Sequence, residues 1–176
     1  MIETARLVLR SWRDDDLEPF AAMSADPKVM ATLGPLMTRD ETAALIARLR
    51  GLEARDGHTF WAVEHRADQR MIGFCGAIRG TAGPVDGKAE IGWRLARDCW
   101  GLGLASEAAR AVVDWAFANL DDRTVWAITS VDNLRSRAVM DRLGMVYRPE
   151  FDFDHPNVPE GDPLCAHVTY SLECIA

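Results

Sequence analysis

The chain has 176 residues, enough for one well-buried domain and too few for two. Its 48% hydrophobic and 27% charged residues are ordinary for a globular protein, and no apolar run approaches membrane-spanning length. A net charge of −7 without any Lys/Arg block argues against a nucleic-acid surface and weakly favours a cationic partner such as an amine; without a leader-like N-terminus, a cytoplasmic location is expected.

Alternation of Leu7 and Leu9 with Val8 and Arg10 predicts a first strand over residues 6–12. The run Asp14, Asp15, Asp16 then opens a helix carrying Leu17, Phe20, Ala21 and Ser24. Pro19 is tolerated only in a first helical turn, which makes Asp16 the expected N-cap. A loop with Pro27, Gly34 and Pro35 precedes Thr38-Arg39-Asp40-Glu41, a T-x-x-E capping box, and Leu45, Leu49 and Leu52 repeat at helical spacing to about Arg55. Residues 59–65 and 70–78 read as a hairpin around Ala67-Asp68-Gln69, with Gly73 and Gly76 marking a bulge or a close backbone approach.

Residues 80–87 read as a loop and 88–95 as a strand, which crosses Gly101-Leu102-Gly103 into a helix with Ala105, Ala108, Ala109, Val112 and Ala116 on one face, ending near Asn119. Another strand is expected over 124–131. Asp132-Asn133 opens a short helix with Val139, Met140 and Leu143, closed by Gly144. Two last strands, 145–153 and 166–174, flank a Pro-rich loop. The order β-α-α-β-β-β-α-β-α-β-β describes one α+β or α/β domain over 1–176 with a mixed sheet.

Four cysteines, Cys75, Cys99, Cys165 and Cys174, lack CxxC or CxxH spacing, so reduced thiols are expected. His155 and His167 lie near Cys165 at no spacing that suits zinc, and no metal site is expected. The glycine turn is more informative. A strand feeding such a turn into a helix leaves unpaired backbone N–H groups and the positive dipole end at one spot, an anion site. Ser106 stands where the dinucleotide fingerprint G-x-G-x-x-G needs its third glycine, and no phosphate-binding G-x-x-x-x-G-K-[ST] occurs, which disfavours a nucleotide-binding domain.

Several motifs in order resemble the GNAT superfamily of N-acetyltransferases, and within it the RimJ/RimL-like group. They are T-x-R-L-x-L-R from Thr4, E-I-G-W from Glu90, W-G-x-G-x-A-x-E-A from Trp100, D-N-x-x-S from Asp132, D-H-P from Asp154 and H-V-x-Y from His167. The resemblance implies a mixed, mostly antiparallel sheet of about seven strands with about four helices, two strands splaying to form an acetyl-CoA cleft. It implies pantetheine along the backbone of Trp93, Arg94 and Leu95, and pyrophosphate on the N–H groups of Gly101, Leu102, Gly103, Leu104, Ala105 and Ser106. Asn133 then contacts the cofactor arm or caps its helix. Ser136 lies one turn on, as a candidate acid or as a buried helix hydroxyl.

Attack of an amine on a thioester needs a base, an oxyanion donor and an acid for the departing thiolate. The resemblance assigns the donor to backbone near Trp93 and makes Glu90 the candidate base, directly or through a water, its alternative being a strand-edge carboxylate or an inter-strand salt bridge. Two positions depart from the family pattern. Met140 replaces the acid tyrosine, and Asp98 replaces the Gln or Arg that opens the phosphate motif. His155, His167 and Tyr170 would lie on the acceptor side, although a loop histidine and a core tyrosine are the plainer readings. The implied function is acetyl-CoA-dependent acetylation of a primary amine in a ternary complex. The acceptor is a protein N-terminus or a small molecule, with no nucleic-acid or membrane partner, and a homodimer is among the assemblies to consider. The rival is an acyl-CoA-binding regulatory module without catalysis, motivated by Met140.

Overall fold

In the computed structural model, which describes residues 1–174, strands β1 (Ile2–Glu3) and β2 (Leu7–Arg10) lead to helices α1 (Leu17–Ser24), α2 (Pro27–Met30) and α3 (Arg39–Asp56). The hairpin β3 (Phe60–His65) and β4 (Arg70–Arg79) follows, then β5 (Ala89–Leu95), α4 (Leu104–Asn119) and β6 (Thr124–Ser130). The chain continues through α5 (Leu134–Leu143), β7 (Val146–Tyr147), β8 (Phe153–Asp154) and β9 (Ala166–Glu173). Among the described residues the nine strands form one sheet in the order β1-β2-β3-β4-β5-β6-β9-β7, with β8 also on β9. Every pairing is antiparallel except β5 with β6.

Seven strands were expected and nine are present. One addition is β1. The other arises because a 3-10 turn at Pro149–Phe151 cuts the strand expected over 145–153 into β7 and β8; Pro149 cannot donate to a ladder. A fifth helix, α2, occupies part of the expected loop: Pro27 opens it and the Asp26 carboxylate accepts from Lys28 N–H at 2.8 Å.

Helix boundaries follow their caps. Thr38 and Glu41 exchange side-chain-to-backbone bonds at 3.2 and 2.7 Å, and Gly57 closes α3 in the left-handed region. Gly144, at φ 81°, ends α5 in the same way. The two strand glycines permit close approach: a Cβ on Gly73 would overlap the Arg94 carbonyl, and one on Gly76 the Thr59 carbonyl. Opposite Gly73 the β3–β4 register slips between Val63 and Glu64, a bulge.

The sheet has a core on each face. One contains Leu7, Leu9, Val63, Ile91 and Val125 beneath α4, whose Ala108, Ala109, Val112 and Ala116 are buried and let the helix lie close. The other contains Trp12, Phe20, Ile46, Leu49, Ala62 and Phe74 under α1 and α3. Asp16 stands at the N-cap position of α1 but makes no side-chain cap bond to it. Its buried carboxylate instead receives Arg10 at 2.7 and 2.9 Å and the Arg13 N–H at 2.7 Å, because buried Arg10 needs a counter-charge more than an exposed helix end needs a cap.

Candidate active site

The cleft begins where two parallel strands separate. β5 and β6 share one register pair, Glu90 with Trp126, and β5 continues without a partner on that edge. Successive strand residues point their backbone groups to opposite edges. Ala96 N–H bonds the Ile72 carbonyl on the β4 side, whereas the Leu95 carbonyl accepts the Trp100 indole N–H at 2.9 Å on the other. The register pair with Trp126 takes up the Ile91 N–H, the backbone of Trp93 faces the gap, that of Arg94 faces β4, and the Leu95 carbonyl is already engaged. Of the three residues expected to offer backbone to pantetheine, Trp93 has both its groups free and turned to the gap, Leu95 turns only its N–H there, and Arg94 turns neither.

At one end of the gap Gly101 and Gly103 sit at φ 74° and 77°, and Gly103 is the N-cap of α4. No backbone N–H from Gly101 to Ser106 donates to a protein acceptor among the described residues. A Cβ on Gly101 would meet nothing within 4 Å, and one on Gly103 only Arg6 Nη2 at 3.6 Å. The open space, the free N–H groups and the helix dipole make a cradle that fits a polyanion such as a pyrophosphate. Arg6 braces it. Its Nη1 donates to the Leu102 carbonyl at 3.0 Å, while its Nε donates to Glu107 at 2.7 Å; Glu107 also accepts from Thr4 Oγ1 at 2.6 Å. Asp98 is offset by Arg70 at 2.6 Å, which holds its carboxyl below the usual range. Arg135 lies over the Trp100 ring, 4.3 Å from its centroid, beside the turn.

Glu90, Trp93, Ser136 and Met140 line one cleft together with Leu33, Phe60, Phe74, Ile128 and Thr129. Glu90 accepts no hydrogen bond among the described residues. Burial pushes its carboxyl up to about 7, with Arg48 pulling weakly the other way. A carboxylate that titrates near neutrality inside a cleft is suited to taking a proton from an amine or a water. The Ser136 hydroxyl has no protein partner among the described residues and stands as a free donor. Met140, 1% exposed, presents a thioether there. Asn133 is buried and does not line the cleft; its Oδ1 accepts from Ser136 N–H at 3.2 Å and its Nδ2 donates to Thr129 Oγ1 at 2.8 Å. Its amide is thus occupied at both ends, capping α5 and tying it to β6.

The segment 31–37 roofs the cleft through Leu33. Ser130 Oγ holds the Thr32 carbonyl at 2.9 Å, and Met37 N–H bonds the Ser24 carbonyl at 3.0 Å. His155 and His167 pack together at 4.8 Å between centroids around Phe153, away from this cleft, and Tyr170 is buried with its hydroxyl 3.4 Å from Arg137 Nε. Sequence reasoning missed Phe60 and Phe74 as walls, since nothing local marks which aromatic faces a gap. It also missed the brace. Its signal lay in Arg6 of the first motif and Glu107 of the third, two halves of one ion pair. Among the described residues no group of three His, Cys, Asp or Glu could hold a metal ion, and no helix is long and apolar enough to cross a membrane.

A family model described as an acetyltransferase (GNAT) domain matches residues 6–146. The uncharacterized protein YkkB of Bacillus subtilis (strain 168) is 29% identical over 147 residues, covering 82% of this chain and 84% of its own. The FsC-acetyl coenzyme A-N(2)-transacetylase of Aspergillus fumigatus is 28% identical over 183 residues, with coverage of 97% and 75%. The solved acetyltransferase of Agrobacterium tumefaciens str. C58 superposes with a TM-score of 0.79 at 26% identity, over 98% of this chain and 94% of that one. With the family match spanning most of the domain, the chain belongs to the GNAT acetyltransferases and is an enzyme of the N-acetyltransferase class.

Proposed function

We propose that this protein transfers acetyl from acetyl-CoA to a primary amine by direct attack within a ternary complex, and that it falls in the RimJ/RimL-like group. The observation that carries the reading is Glu90, a carboxyl titrating near 7, in the cleft that also exposes the unpaired backbone of Trp93. The Gly101–Ser106 N–H groups would hold the pyrophosphate, and the gap beside Trp93 would take the pantetheine arm as a missing strand. Acetyl-CoA supplies the activated acyl carbon. Glu90, directly or through a water, takes the proton that makes the ammonium a nucleophile, and the Trp93 N–H receives the developing oxyanion. Ser136 stands as proton donor to the departing sulfur in place of the tyrosine that Met140 replaces. Arg6 and Glu107, carried by the first and third motifs, support the subgroup assignment. A protein N-terminal amine is the first acceptor to test, with small-molecule amines beside it.

The test is thiol release from acetyl-CoA in the presence of peptide and amine panels, with calorimetry of acetyl-CoA binding. Saturable release with an acetylated product on mass spectrometry is expected. Absence of acetyl-CoA binding would overturn the reading, and binding without turnover across the panel would favour a regulatory module.

A further inference from the structure

We propose that Arg94 is an acceptor-recognition residue that binds a carboxylate carried by the acceptor itself; the inference rests on the acetyltransferase reading above. Glu90, Gly92 and Arg94 share one face of β5, the face opposite Ile91 and Leu95. The stacked rings of Phe60 and Phe74, 5.2 Å apart at 14°, lie between the two charged residues: Phe60 sits over Gly92, and Phe74 is the cross-strand partner of Arg94. Phe74 lines the cleft, so the guanidinium, 5.3 Å from its centroid, stands directly behind the cleft wall.

This guanidinium is half-buried and short of partners. Its Nε is buried with no hydrogen-bond partner. Nη1 reaches only Ser24 Oγ at 3.4 Å and Met37 Sδ at 3.9 Å, and the nearest rings are Phe20 and Phe74. No carboxylate pairs with it among the described residues. Arg10 shows how this protein satisfies a buried arginine that belongs to the fold: Asp16 takes two of its N–H groups and Glu64 a third. Even partial burial of an unpaired cation is costly, so a cation kept without a carboxylate beside a cleft marks where a ligand supplies the anion. Desolvation accordingly lowers the Arg94 pKa to about 10, a shift that a bound carboxylate would reverse.

The chemistry selects the ligand class. A lone planar guanidinium in apolar walls matches a monoanionic carboxylate, whereas a phosphate would call for more than one cation. The acceptor then presents its amine at Glu90 and its carboxylate at Arg94, with its carbon skeleton on Phe60 and Phe74 beneath the 31–37 segment, whose Met37 touches Arg94. Both a free amino acid and a peptide N-terminus followed by an acidic side chain offer such a pair.

Initial rates of thiol release distinguish these sources. One arm compares free amino acids with their carboxamides; the other compares tetrapeptides carrying Asp or Glu at the second position with their Asn and Gln counterparts. The wild type is expected to prefer the acid member of the pairs in one arm by at least tenfold in kcat/KM, expressed mainly in KM. Arg94→Met is expected to bring that ratio close to one. Thermal shift with the same probes in the presence of CoA reads binding without turnover: acids stabilise the wild type, while carboxamides do not, and Arg94→Met shows neither. Equal rates within the pairs of both arms, or a preference that survives in Arg94→Met, would overturn the proposal while leaving the acetyltransferase reading intact. No thiol release with any amine would instead defeat that reading. The variant should unfold at or above the wild-type midpoint, since it deletes an unpaired cation; a clear fall would make Arg94 structural and end the proposal.

Discussion

Glu90 and Arg94 stand four residues apart on one strand face, and burial acts on them with opposite sign, lifting the carboxyl and lowering the guanidinium. For Glu90 the consequence divides between catalysis and stability. As base it must be ionised, so kcat/KM should rise with pH through about 7; Glu90→Gln should lower turnover roughly 100-fold and remove that limb. In the open chain the carboxyl loses its proton near 4.5, in the fold only near 7. Between those values the folded state holds one proton more, so this group's contribution to stability falls as pH rises. The penalty is absent below about pH 4.5 and complete above about 7. After allowance for screening, Glu90→Gln should therefore gain on the order of 1–2 kcal/mol at pH 8 and almost nothing at pH 4.5, measurable by urea titration at both.

At the scale of elements, the glycine turn depends on φ and on open space. Gly103→Val forces a branched side chain into the left-handed region and fills the cradle, so the Kd for acetyl-CoA should rise at least tenfold by calorimetry. Glu107→Ala frees Arg6 and slackens the turn from behind, which should raise KM for acetyl-CoA several-fold. The turn itself was legible, because Gly101 and Gly103 announce positive φ and the helix after them is apolar on one face. The Thr38 box and the Gly144 cap were legible for the same reason: their chemistry is local. Asp16, Asn133 and Arg94 were not. A carboxylate able to cap a helix can equally answer an arginine six residues back, and only the fold decides which need is greater. Whether Arg94 offers backbone or side chain to a cleft is set by the partner of β5, which no residue in β5 encodes. The short β7 and β8 were hidden similarly, although Pro149 inside an expected strand was a warning.

Across the molecule, α1 and its sheet are joined by the Arg10–Asp16–Glu64 cluster, buried and fully bonded. Asp16→Ala would leave Arg10 with a single acidic partner inside the core and should cost about 3–5 kcal/mol, seen as a large fall in thermal midpoint. Fold class, element order and family were readable from the chain because they are repeated in many places at once; the acceptor pocket was not, because it is assembled from β3, β4, β5 and the 31–37 segment.

The sheet is joined across its middle by a single register pair, with β1 to β5 on one side and β6 to β9 on the other. Such a sheet is an open seam. A pantetheine arm that bonds Trp93 would act as a stitch, taking up backbone groups that water otherwise occupies. Amide hydrogen exchange at Trp93 should therefore slow more than that of the outer strands when acetyl-CoA binds. The substrate would then be, for the length of a catalytic cycle, a part of the fold.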